Sequence, residues 1–413
     1  MEKCTGPAMA EPHLLAPFAA LRPTPTSVAE VIAPPYDVVS AEEARALAKG
    51  KPRSFLHVSK PEIDFPPGTD PHEARVYARA GENLRRMVTD GALHREARPA
   101  FYAYRLTNGG RAQTGIAGGG SVAAYLANRI RRHELTRPDK EDDRVRQIEA
   151  VAAHTGPVFA VHRKDAAVAQ VLARATAAPP ELDAVAPDGV RHSLWTIGGA
   201  EAVAALTAAF DRMPTIYIAD GHHRAAAGAR VAKAHPAADR LLVVSFPDDE
   251  VKILDYNRVV RDLGGMSPEA FRARLAESFA VSPGDGSKPD RRGRMEMYLD
   301  GRWWSLDAKA APDPALPPSR RLDVSLLTDR LLAPILGIAD LRTDPRVDFV
   351  GGARGTAELK RRVDSGEMAA GFALYPTSLA ELFAVADAGE IMPPKSTWFE
   401  PKLADGMVSL PLP

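Results

Sequence analysis

Ile216-Tyr217-Ile218-Ala219-Asp220-Gly221-His222-His223-Arg224, with the alanine-rich run that follows it to His235, is the stretch on which the reading of this chain turns. Four apolar residues in a row suit a buried strand, Asp220-Gly221 suits a turn, and the run from His222 to His235, stopped by Pro236, suits a helix. A strand that delivers a helix N-terminus presents backbone N–H groups with no partner inside the helix, at the positive end of its dipole. Gly221 permits close backbone approach, and Arg224 in the first turn can fork onto phosphate oxygens. His222 and His223 can donate hydrogen bonds or orient a substrate. Asp220 can cap the helix, hold magnesium through water, or assist proton transfer. The same string also reads as an N-cap followed by two satisfied surface histidines, and the local pattern leaves both readings open.

Working outward, strand-like and helix-like pieces alternate from Gly115 to about Gly264, which predicts a mixed α/β core. Upstream, Val31 to Val39 reads as a short strand broken by Pro34 and Pro35, and Ser40-Ala41-Glu42-Glu43 caps a helix over Ala44 to Ala48. Residues 60–71 read as a loop, Glu73 to Val88 as a helix, and Phe101 to Leu106 as a strand turned at Asn108-Gly109-Gly110. Gly118-Gly119-Gly120 lacks the Lys-Ser/Thr of a P-loop and reads as a flexible turn. Downstream, a proline-rich break at 311–318 reads as a surface loop, 347–350 and 371–375 as strands, and Leu379 to Ala386 as a helix.

A chain of 413 residues exceeds what one core organises, and three regions are expected: 1–114, 115–264 and 265–413. With 45% hydrophobic and 26% charged residues, the composition is that of an ordinary globular protein. Fifty-three basic residues balance fifty-three acidic ones, so no global field draws nucleic acid or an anionic membrane, and an anion site must be local. The single cysteine, Cys4, excludes an internal disulfide and fits a reducing cytoplasm. No long apolar segment points to secretion or membrane spanning.

The histidine string resembles the phosphate-binding segment of the ParB/sulfiredoxin-like superfamily, and its Asp-Gly-His-His-Arg form is most similar to that of the archaeal free serine kinases, which phosphorylate L-serine to O-phospho-L-serine. His133-Glu134-Leu135 resembles that family's segment bearing the catalytic carboxylate, and Gly389-Glu390-Ile391-Met392-Pro393-Pro394-Lys395-Ser396-Thr397 resembles its Gly-Glu-x-x-x-Pro-Lys-Thr-Thr segment. The three occur in the same order. The whole chain also resembles an uncharacterised prokaryotic domain-of-unknown-function family, family 1015, through Pro34-Pro35-Tyr36-Asp37-Val38, His133-Glu134-Leu135-Thr136, the histidine string and Pro394-Lys395-Ser396-Thr397. Two features depart from the kinase pattern. The spacing from Glu134 to Asp220 is longer, and the first hundred or so residues have no counterpart.

The resemblance implies a ParB/sulfiredoxin-like core, with an N-terminal region and a smaller C-terminal α/β domain forming a cleft. It implies catalytic roles for Glu134, Asp220 and His222, and nucleotide phosphates at Gly221, His222, His223 and Arg224. Lys395, Ser396 and Thr397 are implied for the substrate carboxylate, with ATP or ADP as donor and Mg²⁺ accompanying it. Glu134 is the expected base, since in-line phosphoryl transfer needs a carboxylate on the attacking hydroxyl. By themselves, residues 131–140 read as a solvated charged segment before a helix, and 393–397 as a proline-stiffened turn. Lys140, Asp143 and Arg144 read as an ion-pair set on one helical face, and Asp37 as a strand end or a cleft acid. Competing functions are a nucleotide-binding switch of the ParB-like type, or a kinase for another small hydroxylated metabolite. Sulfiredoxin-like transfer needs a reactive cysteine, for which Cys4 is poorly placed.

Overall fold

The computed structural model describes residues 12–413; Cys4 lies outside the described residues. The chain divides into two compact units, one comprising Met1–Val251 with Pro401–Pro413, the other Lys252–Glu400. The chain thus leaves the first unit at residue 251 and returns to it at residue 401. An expected boundary at 114 falls within a strand of the first unit, because the hairpin turned at Gly109-Gly110 ties both sides of that position into one sheet.

The first unit is built on a mixed nine-stranded sheet of β1 (Leu15–Ala16), β2 (Phe101–Asn108), β3 (Arg111–Ser121), β4 (Ile130–Arg131), β5 (Val158–His162), β6 (Leu182–Val185), β7 (Arg191–Ile197), β8 (Ile216–Asp220) and β9 (Arg240–Pro247). The order is β4-β8-β5-β9-β3-β2-β7-β6, with β1 paired to β3. β8 runs parallel to β4 and β5 parallel to β9; the remaining pairs are antiparallel. The helices include α1 (Ala74–Thr89), α2 (Pro138–Val151), α3 (Ala166–Ala175), α4 (Ala200–Arg212) and α5 (His222–Ala234). α3 and α4 bury Val168, Leu172, Leu206 and Phe210 against Ile116, Val158, Ala160 and Ile218 of the sheet.

Two segments differ from the sequence reading. Residues 31–39 form no strand of any length: Val28–Val31 is a helical turn, and Ala33 makes a lone bridge to Asp405 before the two prolines interrupt pairing. Gly118-Gly119-Gly120 lies inside β3 and is no turn. A Cβ on Gly118 would stand 2.7 Å from Leu15 Cγ, and one on Gly120 2.6 Å from Val243 Cγ2, so close packing across the sheet requires glycine there. Elsewhere local signals hold, as at Ser40 and Glu43, which form a reciprocal capping box on Ala41–Ala48.

The second unit carries an antiparallel six-stranded sheet of β10 (Tyr256–Val260), β11 (Phe279–Pro283), β12 (Arg294–Leu299), β13 (Arg302–Ala308), β14 (Val347–Gly351) and β15 (Ala370–Leu374), ordered β11-β13-β12-β15-β10-β14. The helix α6 (Leu379–Asp387) opens with a second capping box, Ser378 with Glu381. Both units mix strand and helix, and the molecule is α/β. No helix of the described residues is long and apolar enough to cross a membrane.

Candidate active site

β8 ends in a bulge. Its register against β5 shifts between Ile218 and Asp220, so the strand turns as it reaches the histidine string. Gly221 then adopts φ +95°, a left-handed conformation natural to glycine, and a Cβ there would also press to 3.1 Å from the Arg224 guanidinium and 3.3 Å from Val158 Cα. α5 starts at His222 without a side-chain cap, which leaves its first-turn N–H groups to other partners. Its alanine-rich sequence lets it pack tightly. Ala225, Ala226, Ala227 and Gly228 are all buried, and a Cβ on Gly228 would meet Leu241 Cδ2 at 2.3 Å.

Asp220 is not the cap. Its Oδ2 accepts from Arg224 Nη2 at 2.7 Å, and its Oδ1 faces Lys402 Nζ at 3.4 Å. Burial works against its charge, but the Lys402 and Arg224 cations outweigh it and hold the carboxyl well below its usual range. Arg224 does not fork outward either. Its side chain is 9% exposed and donates to Asp220 and to the Pro157 carbonyl, with Asp37 Oδ2 at 3.7 Å. The expected phosphate fork is therefore spent on the protein, and the first turn offers backbone N–H groups instead.

His222 is buried, at 4% exposure, edge-on to the His133 ring with centroids 4.5 Å apart. Burial, reinforced by His133, holds it well below the usual histidine range, so the ring is neutral. The His133 backbone N–H donates to His222 Nε2 at 3.5 Å, which puts the ring proton on Nδ1. Glu134 Oε2 stands 3.6 Å from that Nδ1, its side chain 43% exposed. His223 Nε2 likewise accepts from the Arg137 backbone N–H at 3.1 Å, and burial lowers its proton affinity. The chain thus gathers an accessible carboxylate, a buried neutral imidazole and an uncapped helix N-terminus in one place. Among the described residues there is no group of three or more His, Cys, Asp or Glu able to hold a metal ion.

The sequence reading missed Lys402 and Asp405. Lys402 stands in a second Pro-Lys pair, Pro401-Lys402, that repeats Pro394-Lys395 and was the available signal. Asp405 is buried, taking the Tyr36 N–H at 3.2 Å, and burial raises its pKa to about 7 against the pull of Arg224. Of the expected helical ion-pair set, Arg144 chelates Asp143 and lies 3.9 Å over the Tyr36 ring.

Lys395, Ser396 and Thr397 belong to the second unit. Lys395 has φ +57°, uncommon for a residue with a side chain. Ser396 is buried, its hydroxyl donating to the Pro393 carbonyl at 2.7 Å, while Thr377 Oγ1 donates to the Ser396 carbonyl at 2.9 Å.

Among solved structures, C-terminally truncated SbnI from Staphylococcus aureus is similar at 13% identity and TM-score 0.39, covering 72% of this chain and 87% of its own. A free serine kinase in complex with AMP is similar at 12% identity and TM-score 0.34, covering 69% of this chain and 86% of its own. A conserved hypothetical protein from Pyrococcus furiosus gives 13% identity and TM-score 0.34, covering 70% and 93%. No curated protein matches. Residues 15–325 match the model of the family described as protein of unknown function (DUF1015), a match over most of the chain, and the chain belongs to that family.

Proposed function

We propose that the chain is a nucleotide-dependent small-molecule kinase that transfers a phosphoryl group to the hydroxyl of free L-serine, giving O-phospho-L-serine. The observation that carries this reading is the convergence of Glu134 on the histidine loop: a carboxylate distant in sequence stands 3.6 Å from His222, at the entry of an uncapped helix. His222 is too buried to touch substrate, and its Nδ1 proton faces Glu134 from 3.6 Å behind. Glu134 takes the proton of the serine hydroxyl as its oxygen forms the new O–P bond. The bond to the bridging oxygen breaks, and the nucleotide leaves as the diphosphate from ATP or the monophosphate from ADP. Charge on the transferring group meets the first-turn N–H groups of α5 and the Lys402 ammonium. Asp220 and Arg224 hold that loop in shape. On the second unit, Lys395, Ser396 and Thr397 are assigned to binding the carboxylate of free L-serine. Magnesium bound to the nucleotide phosphates would supply further neutralisation of their charge, with the phosphates themselves providing most of its ligands.

The test is direct. Purified protein is incubated with ATP or ADP, magnesium and each of several free hydroxy amino acids, and the products are read by mass spectrometry. Phosphoserine is expected. Nucleotide hydrolysis without transfer to any acceptor would replace this reading with that of a nucleotide-driven switch.

A further inference from the structure

Arg258 sits in β10, a strand paired on both sides, by β14 and by β15, and its side chain is wholly buried. Buried guanidinium groups ordinarily face a carboxylate, because an unpaired charge in a protein interior is costly. Arg258 has none within ion-pair distance among the described residues. Its Nη1 donates to the Tyr256 carbonyl and its Nη2 to the Pro394 carbonyl at 3.1 Å, its guanidinium lies 5.3 Å from the Phe349 ring centre, and its Nε has no partner. Burial lowers its pKa to about 9, which still leaves it charged at neutral pH. A methionine or leucine would fill this place without that cost.

What the cation does hold is the peptide between Pro394 and Lys395. In a trans peptide the N–H points opposite to the C=O, so anchoring the Pro394 carbonyl turns the Lys395 amide away from Arg258. The neighbouring carbonyls are also tied: Pro393 accepts from the Ser396 hydroxyl and Ser396 from the Thr377 hydroxyl. Pro394 and Lys395 form the centre of a hydrogen-bonded turn, which directs the Ser396 N–H back toward Pro393, while the N–H groups of Lys395 and Thr397 have no hydrogen-bond partner among the described residues, nor has the Lys395 ammonium, which lies 5.9 Å from the Tyr256 ring centre. A turn whose carbonyls are bound, with the Lys395 and Thr397 amides and the Lys395 ammonium left over, offers donors to an oxyanion.

Resting on the kinase reading given above, we propose that Arg258 is a positioning residue: its uncompensated charge and its grip on Pro394 set the 395–397 turn of the second unit to bind the carboxylate of free L-serine.

The experiment uses the full chain with Arg258→Met, which keeps bulk and removes charge, Arg258→Lys, which keeps charge, and Lys395→Met, a change of an exposed side chain that spares the interior. L-serine and ethanolamine, the same hydroxylated amine without the carboxylate, are compared for binding by calorimetry and as acceptors. Arg258→Met and Lys395→Met should each weaken L-serine binding by roughly tenfold to a hundredfold, raise KM more than they lower kcat, and leave ethanolamine unaffected. Arg258→Lys should recover part of the loss. Equal losses for both compounds in Lys395→Met, L-serine binding within twofold of wild type in a folded Arg258→Met, or a wild-type chain that binds no carboxylate would overturn the proposal. Carboxylate-selective binding without phosphoryl transfer would instead keep this site and sink the kinase.

Discussion

At Glu134 the carboxylate is accessible and the imidazole behind it is not, so the two side chains respond differently to substitution. Glu134→Gln preserves shape and removes the proton acceptor. General-base assistance is worth on the order of 10²–10⁴-fold, so serine phosphorylation should fall by that order while nucleotide binding and thermal stability stay near wild type. Steady-state kinetics set beside nucleotide titration separate the two, and wild-type turnover in the folded variant would remove Glu134 from the chemistry. Arg224 teaches the converse lesson. Its position in the first turn of α5 is legible in the sequence, but the direction of its guanidinium is decided by Pro157 and Asp220, and no local pattern announces a carbonyl on another segment.

Among the elements, those whose signals are short-range were readable: the capping boxes at Ser40 and Ser378, the hairpin at Gly109-Gly110, and the strand, turn and helix of the histidine string. β3 was not. Three glycines in a row carry the local signature of a turn, whereas their actual role is set by Leu15 and Val243, which lie far off in sequence, and by Phe101 on the other arm of the hairpin, all pressing on them across the sheet. The two interpretations make opposite predictions. Gly118→Ala and Gly120→Ala should each lower stability by about 1–3 kcal/mol through overpacking, whereas a flexible surface turn would tolerate alanine or gain from it. Urea denaturation of the two variants decides, and unchanged midpoints would count against the close packing. Lys402 was missed for a similar reason, since its pairing with Asp220 joins the returning segment to a loop much earlier in the chain.

For the molecule as a whole, the first unit buries His133, His154, His162 and His192, and burial lowers each pKa to about 4. In the unfolded chain they titrate near 6.5, so unfolding takes up protons in between. Their contribution is complete above about pH 6.5 and is lost as pH falls toward 4. Asp405 acts with the opposite sign: its raised pKa favours the protonated fold, a contribution present below the unfolded carboxyl value and lost as pH rises through about 7. Four groups outweigh one. The urea midpoint of the first unit should therefore be lower at pH 5 than at pH 7, and an equal or higher midpoint at pH 5 would contradict the buried neutral histidines. The partition of the chain has a consequence in time. A ribosome delivers residues in order, so the first unit is begun first and finished last, after all of Lys252–Glu400 has emerged. Until then Asp220 has no Lys402 beside it, Ala33 has no bridge to Asp405, and Ala153–His154 has no Leu410–Pro411 to pair with. A nascent chain, or one terminated before residue 401, therefore carries the histidine loop with Asp220 lacking the Lys402 ammonium that faces it in the finished fold.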